Sequence, residues 1–208
     1  MSSSPRVAII VYTVYGHIAK MAESAKAGII SAGGKVDIYQ VPETLPQETL
    51  NLFKALPKPD YPIATMQTLE DYDAFLFGIP TRFGTMPAQW KTYWDDTGLL
   101  WMGSKLSGKY AGIFVSTNTL GGGQEVTISS SLSVLVHHGI NYVPFGFAHA
   151  LAELTNLESV HGGSPWGAGT LAGPKGPDGE SRQPSEIELS MAEKQGKAFW
   201  ETVSRVSF

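Results

Sequence analysis

Cysteine is absent from the 208-residue sequence. Its absence excludes disulfides, thiolate nucleophiles, and zinc or iron–sulfur sites held by cysteine. Long apolar runs are also missing, and the apolar run at residues 7–12 is too short for a signal-peptide core or a membrane span. We therefore expect a soluble, cytoplasmic protein without a membrane span.

Charge of either sign is scarce, at 16% of residues with a net charge of -4. No basic stripe supports binding to nucleic acid. The first predicted strand is not followed by a G-x-G-x-x-G motif, and the chain has no G-x-x-x-x-G-K-[ST] motif. These absences argue against a Rossmann dinucleotide site and a P-loop nucleotide site.

Hydrophobic residues, in contrast, make up 42% of the chain, enough for a substantial core. Four nearly continuous apolar runs are typical of parallel strands covered on both faces. A fifth run is weaker because it carries a proline and a glycine. The strong runs are 7–12, 35–40, 74–80 and 110–117, and the weak run is 141–147.

Helical patterns lie between these runs, so the chain is predicted to form a doubly wound, three-layer α/β sheet. One helix ends at Gly33 and Gly34, another begins after Pro87, and a third covers residues 124–138. The last begins at Ser185, with Glu188 completing a capping box. Two segments interrupt the alternation: an insertion after strand 2 at 42–66, and a long loop after strand 5 at 149–182.

The turn after the first strand is the first candidate for a binding loop. A strand-to-helix turn presents free backbone N–H groups at the positive end of the helix dipole, which suits a phosphate. An ordinary βα turn is the alternative interpretation of this segment alone. The residues of the turn are Thr13, Val14, Tyr15, Gly16, His17 and Ile18.

Two further loops follow strands 3 and 4. The carboxyl ends of parallel strands meet at one edge of a sheet, so the three loops are expected to converge there. The loop after strand 3 combines a cation, an aromatic ring and hydroxyls, and that after strand 4 is rich in glycine. Their candidate residues are Pro80, Thr81, Arg82 and Phe83, then Ser116, Thr117, Asn118, Thr119, Leu120, Gly121 and Gly122.

Aromatic and histidine side chains outside these loops are harder to interpret. Trp90 and Trp94 share a helix face, which is more typical of a core or an interface than of catalysis. Trp101 follows Gly98 and is predicted to lie in a loop above a ring. His137 and His138 end a helix, where capping is a commoner role than metal binding, so we expect no metal site.

Six short motifs in order along the chain resemble those of the WrbA-like NAD(P)H:quinone oxidoreductases of the flavodoxin superfamily. Among these, the sequence is most similar to the fungal-type benzoquinone reductases. The match runs nearly end to end, and the set is far more specific than any one motif. The motifs are Tyr15-Gly16-His17-Ile18, Val41-Pro42-Glu43-Thr44, Pro80-Thr81-Arg82-Phe83-Gly84, Gly121-Gly122-Gly123-Gln124-Glu125, His137-His138-Gly139 and Ser181-Arg182-Gln183-Pro184-Ser185.

The resemblance implies a flavodoxin-like three-layer sandwich formed by residues 1–208 as one domain, with a five-stranded parallel sheet in the order 2-1-3-4-5. It implies FMN as the cofactor, NADH or NADPH as the co-substrate, a benzoquinone-like substrate and a homotetramer. The reaction would be a two-electron, ping-pong hydride transfer through flavin N5. Thr13 stands where many relatives have serine, which preserves the hydroxyl.

The resemblance also assigns roles to individual residues. The first loop would hold the phosphate and ribityl end, and the second and third loops would contact the flavin ring. Tyr15 would border the nicotinamide site, Trp101 would face the substrate, and His137 would lie beside the flavin. Asn118 and Leu120 depart from the usual loop sequence, which weakens the assignment of ring contacts there.

Two other functions remain open at this level. A flavodoxin-like one-electron carrier usually has a strongly acidic face, which the modest charge of this chain does not indicate. A non-enzymatic assembly or signalling protein of the receiver type needs an acidic cluster after the first strand. Thr13 stands in that place.

Overall fold

The computed structural model describes residues 4–174 and 181–208. Its parallel sheet has the predicted order β2-β1-β3-β4-β5. The strands are β1 (Val7–Val11), β2 (Val36–Gln40), β3 (Ala74–Pro80), β4 (Tyr110–Thr117), β5 (Asn141–Tyr142) and β6 (Gly169–Leu171). The flavodoxin-like α/β fold expected from the sequence is confirmed.

Helices cover both faces of the sheet because successive side chains of each buried strand point to opposite sides. On one face, Val7, Ile9 and Val11 pack with α1 and α8. On the other, Ala8, Ile10 and Tyr12 belong to the core that includes α4 and α6. The helices are α1 (His17–Ser31), α2 (Gln47–Leu52), α3 (Met66–Asp71), α4 (Ala88–Asp95), α5 (Gly98–Met102), α6 (Gln124–His138), α7 (Leu151–Leu154) and α8 (Glu186–Val203).

The fifth strand differs from the prediction. The predicted strand 141–147 is reduced to the two residues of β5, which pair with the start of β4. The end of β4 pairs instead with β6, a strand inside the predicted long loop. The chain leaves the sheet after Tyr142 and returns at Gly169, so two separate segments occupy one edge. Residues 175–180 of the predicted loop lie outside the described residues.

Helices α1 and α8 approach each other very closely, and two glycines make this possible. A Cβ atom on Gly196 would lie 2.0 Å from the carbonyl oxygen of Ala25, and one on Gly28 would lie 1.9 Å from that of Glu193. Both distances are far below van der Waals contact. This tight pair places the start of α1, and with it the first loop, in a fixed position relative to the end of the chain.

Trp90 and Trp94 of α4 are buried, as their shared helix face predicts. The indole N–H of Trp90 donates to the carbonyl oxygen of Gly78 at 3.2 Å. These rings therefore belong to the core. Among residues 4–174 and 181–208, no helix combines the length and apolar character needed to cross a membrane.

Candidate active site

A cavity of about 380 Å³ opens at the carboxyl edge of the sheet. The three predicted loops all contribute to it, as does a fourth segment from the region after β6. The lining residues are Thr13, Val14, Tyr15, His17, Pro80, Thr81, Arg82, Ser116, Thr117 and Asn118 from the loops, and Ala172, Gly173, Pro174 and Ser181 from the fourth segment. This is the position at which open α/β sheets bind ligands.

The first loop ends in an uncapped helix. Gly16 has a left-handed φ of 82° as the residue before α1, and no described side chain caps that helix end. The hydroxyl of Thr13 accepts a hydrogen bond from the Gly16 N–H at 3.0 Å, which closes the turn. The first-turn amides of α1 are therefore available to an anion, and the positive end of the helix dipole favours one.

Two residues of this loop, His17 and Ile18, are placed differently from the prediction that the whole loop holds the phosphate and ribityl end. His17 is buried, and its Nε2 donates to the carbonyl oxygen of Arg182 at 2.5 Å, so that nitrogen is already occupied. Ile18 is buried in the core and is not among the residues that line the cavity. The geometry therefore favours a phosphate seat made of backbone amides and the Thr13 hydroxyl.

The second loop is a tight turn. Arg82 and Thr85 exchange backbone hydrogen bonds of 2.8 and 3.0 Å, and the Thr81 hydroxyl accepts from Gly84 N–H at 3.1 Å. Phe83 has a left-handed φ of 54° and a fully exposed ring. Within one chain, Thr81 and Arg82 therefore line the cavity and Phe83 points away from it.

The third loop divides between two cavities. Ser116, Thr117 and Asn118 line the first. Thr119, Leu120 and Gly121 line a second cavity of about 330 Å³ on the other side of the loop. Gly122 lines neither cavity, and a Cβ there would be 2.7 Å from the Thr119 carbonyl oxygen. The predicted ring contacts are thus brought together only for the first half of this loop.

The fourth segment is a wall that the sequence prediction missed. The backbone N–H groups of Ala172 and Gly173 each donate at 2.8 Å, to the carbonyl oxygens of Thr117 and Asn118 respectively. The Arg182 carbonyl oxygen accepts from His17, as described above. Strand β6 leads directly into this segment and so places it at the cavity. Because β6 is so short, the sequence shows no recognisable strand pattern there.

Glu188 of α8 holds the fourth segment in place. Its carboxylate is fully buried and accepts five hydrogen bonds, from Gly162 N, Leu171 N, Ser185 N, the Thr170 hydroxyl and Arg182 NH1. Burial opposes ionisation, but the bonds from Arg182 and the backbone amides outweigh it and lower the pKa of Glu188. The Glu188 half of the predicted capping box is present, because the carboxylate accepts from the Ser185 N–H at 2.8 Å, and the same carboxylate also serves as a tertiary anchor.

Trp101 and His137 lie together but far from this cavity within one chain. Both border a shallow depression with Ser107 and Gly139, which precede β4 and β5. This is the amino edge of the sheet, and the eight residues of β4 place it about 23 Å from the carboxyl edge. One copy of the chain therefore does not bring these side chains to the cavity at the carboxyl edge.

The parallel sheet, its 2-1-3-4-5 order and the cavity at its carboxyl edge define a flavodoxin-like protein with a site of small-molecule size. The chain belongs to the NADPH-dependent FMN reductase family, whose model matches residues 2–152. The resemblance stated from the motifs is confirmed.

Curated relatives cover nearly the whole chain. Protoplast secreted protein 2 of Saccharomyces cerevisiae is 62% identical over 201 residues, covering 97% of this chain and 99% of the relative. NAD(P)H quinone oxidoreductase PST3 of Candida albicans is 60% identical over 202 residues, covering 97% of this chain and 100% of the relative.

The fold is shared with a solved flavodoxin, a WrbA-like protein from Agrobacterium tumefaciens. The TM-score is 0.62 and the sequence identity 18%, and the match covers 99% of this chain and 100% of the other. At this identity, the likeness bears on the fold alone.

Proposed function

We propose that this chain is an FMN-dependent NAD(P)H:quinone oxidoreductase. The observation that carries the proposal is the cavity at the carboxyl edge, where an uncapped helix start faces hydroxyl-bearing and cationic loops. Its volume of about 380 Å³ falls in the range of small-molecule sites. The family description and the names of the Candida albicans relatives support the same conclusion.

The phosphate monoester of FMN would occupy the first loop. Thr13 would supply a hydroxyl, and the amides at the start of α1 would supply further donors. Ser116, Thr117 and Asn118 would border the ring from the side of β4. Bound FMN would supply hydride-transfer chemistry, so that in a ping-pong cycle a quinone would be reduced to its hydroquinone, with two electrons and two protons, at the expense of NAD(P)H.

Arg82 and Tyr15 are the side chains at this site best placed to orient reactants. The Arg82 guanidinium donates to the Thr81 carbonyl oxygen at 2.8 Å, which holds a fixed positive charge at the rim. Such a charge stabilises negative charge that develops on a neighbouring ring. The Tyr15 hydroxyl donates to the Phe53 carbonyl oxygen at 3.1 Å, so its ring stands as a wall that nicotinamide and quinone would contact in turn.

The proposed activity is tested by an absorption spectrum of the purified protein, followed by NADH and NADPH oxidation with benzoquinone. We expect bound FMN and nucleotide oxidation that depends on quinone. A colourless protein that binds no added FMN would contradict the proposal. Bound FMN that accumulates in a one-electron-reduced form, with no quinone-dependent turnover, would instead indicate an electron carrier.

Thr13 provides a sharper test of the phosphate seat. Replacing Thr13 with valine removes the hydroxyl that closes the turn and should weaken FMN binding about tenfold, as expected for one lost hydrogen bond. Riboflavin, which lacks the phosphate, should bind to this variant as it does to the wild type. Thr13→Ser keeps the hydroxyl and is the matched control. Equal losses for FMN and riboflavin would contradict the assignment.

We further propose that the enzyme is a homotetramer in which Trp101 and His137 act at a neighbouring copy's site. Trp101 would face the quinone, and His137 would donate a hydrogen bond or proton to its oxygen. Support comes from the exposed apolar side chains around α5 and the end of α6, which are typical of a subunit interface. These are Leu99, Trp101, Met102 and Val136, hereafter the α5 patch.

We also propose a single-domain organisation and a cytoplasmic location for this protein. Residues 1–208 would form a single domain, which is supported by the packing of α8 against α1. A cytoplasmic location would match the proposed use of NAD(P)H. Cell fractionation with detection of the intact chain tests it.

A further inference from the structure

Beneath the first loop, Lys58 reaches the end of β1 from the segment that follows β2. Its Nζ donates to the carbonyl oxygen of Thr13 at 2.8 Å. The same nitrogen lies 4.3 Å from the centre of the Tyr12 ring and 2.7 Å from a carboxylate oxygen of Glu43. A single ammonium group therefore joins the residues that directly follow β1 to the crossover between β2 and β3.

Glu43 is itself fixed by the surrounding chain. Its carboxylate accepts from the backbone N–H groups of Thr44 and Leu45 at 2.9 and 3.0 Å. The buried Tyr12 hydroxyl also donates to it, at 3.0 Å to the nearer oxygen. Burial opposes ionisation, but Lys58 and the Leu45 amide lower the pKa of Glu43 below its usual value. The carboxylate is thus charged and held in one orientation.

The bond to Thr13 has a geometric consequence for the next residue. The carbonyl of Thr13 and the N–H of Val14 belong to one planar trans peptide, so the two groups point in opposite directions. With the carbonyl turned toward Lys58, the Val14 N–H is turned away from it. Val14 lines the cavity, and no backbone carbonyl in the described part of the chain accepts from its N–H.

Attraction of the phosphate by the charge of Lys58 would be a different role. Glu43 lies 2.7 Å from the ammonium and cancels much of its field at a distance. Glu43 does not cancel the effect of the hydrogen bond from Lys58 to the Thr13 carbonyl oxygen, because that bond fixes the direction of the carbonyl and does not depend on the net charge. The contacts therefore favour positioning of the loop over attraction of the ligand.

We infer that Lys58, held by Glu43, is a positioning residue for the phosphate of FMN. By fixing the Thr13 carbonyl, it presets the first loop so that the Val14 N–H faces the cavity before the ligand arrives. Such preorganisation lowers the ordering cost of binding. The inference rests on the proposed function, since it requires the phosphate to occupy the first loop.

The test compares FMN and riboflavin binding to the flavin-free protein by flavin fluorescence. Lys58→Met should weaken FMN binding about tenfold, the loss of one charge-assisted hydrogen bond, and change riboflavin binding by less than about twofold. Lys58→Arg keeps a donor and should recover part of the FMN affinity. Lys91→Met, which breaks an exposed ion pair with Asp95, is the control and should bind both ligands as the wild type does.

Glu43→Gln separates positioning from charge. Removing a negative charge near the site would tighten FMN binding if Lys58 acts by attraction. If Lys58 acts by position, losing its anchor should weaken FMN binding severalfold and leave riboflavin unaffected. FMN and riboflavin binding to this variant and to the wild type are compared at about 0.5 M salt. At that ionic strength the Debye length is about 4 Å, so attraction between more distant charges is largely screened. FMN affinity equal to or above that of the wild type overturns the inference.

Measurements on the wild-type protein distinguish a failure of this inference from a failure of the proposed function. Equal affinity for FMN and riboflavin would refute the phosphate seat itself. A clear preference for FMN that Lys58→Met retains would refute only the role of Lys58. Thermal unfolding of each flavin-free variant shows whether it folds, and if Lys58→Met does not, the Glu43→Gln comparison decides the question.

Discussion

Replacing Glu188 with alanine is expected to lower the free energy of unfolding by about 3–5 kcal/mol, the usual cost of removing one partner of a buried ion pair. Five donors, including the Arg182 guanidinium, lose their acceptor at a fully buried position. The fourth wall of the cavity should loosen at the same time. FMN binding is therefore expected to weaken together with stability.

Urea unfolding of the flavin-free protein measures this change. Glu193→Ala removes a carboxylate from the exposed face of the same helix and should change the free energy of unfolding by less than about 0.5 kcal/mol. For a domain of this size, the loss in Glu188→Ala corresponds to a melting temperature lower by roughly 6–20 °C. A change no larger than that of the control would show that Glu188 does not anchor the wall.

The stabilisation by Glu188 should also depend on pH. The pKa of Glu188 is lowered in the folded protein, so its contribution is present above the ordinary pKa of a glutamate in the unfolded chain and is lost as pH falls through the folded value. The stability difference between the wild type and Glu188→Gln should therefore be constant near neutrality and shrink in acid. A difference that stays constant into strong acid would rule out stabilisation by the ionised form.

Breaking the α5 patch is expected to lower quinone turnover about 100-fold while bound FMN is retained, if Trp101 and His137 act across a subunit contact. Leu99→Glu combined with Met102→Glu places two charges on side chains that are 81% and 75% exposed in the single chain. Burying these charges at an interface would be costly, so the variant should be monomeric.

Light scattering gives the mass of the assembly, and quinone-dependent NADPH oxidation gives the turnover. Leu157→Glu is the matched control, because Leu157 is apolar and 98% exposed but lies outside the α5 patch. It should leave both mass and turnover unchanged. A monomeric double variant with full turnover would show that each chain carries a complete site.

The core strands and the long helices could be predicted from local patterns. β3, β4 and α6 have the predicted bounds, because continuous apolar runs and a terminal glycine mark them directly. The fifth strand could not be predicted correctly, since β5 and β6 are too short to carry a pattern. Their pairing depends on an edge of β4 that only the folded sheet offers.

In the candidate site too, some residues could be predicted from local sequence patterns and others could not. Thr13 and Thr81 could be placed at the cavity from their positions after buried strands. The role of Lys58 and the tertiary contacts of Glu188 were not predictable, because Thr13 and Gly162 lie 45 and 26 residues away from them in the chain. Loop conformation also determines where a side chain points. The left-handed backbone of Phe83 turns its ring outward.

The layered α/β fold, the edge of the sheet that carries the loops, and the strand-to-helix turn at Gly16 follow from the sequence alone. Hydrophobic periodicity and glycine positions act locally, so they can be interpreted without the fold. Which side chains meet at that edge depends on how the whole chain folds. Folding brought β6 and the segment at Arg182 to the cavity and placed Trp101 and His137 at the opposite edge. Those outcomes depend on contacts between distant segments, which no local pattern specifies.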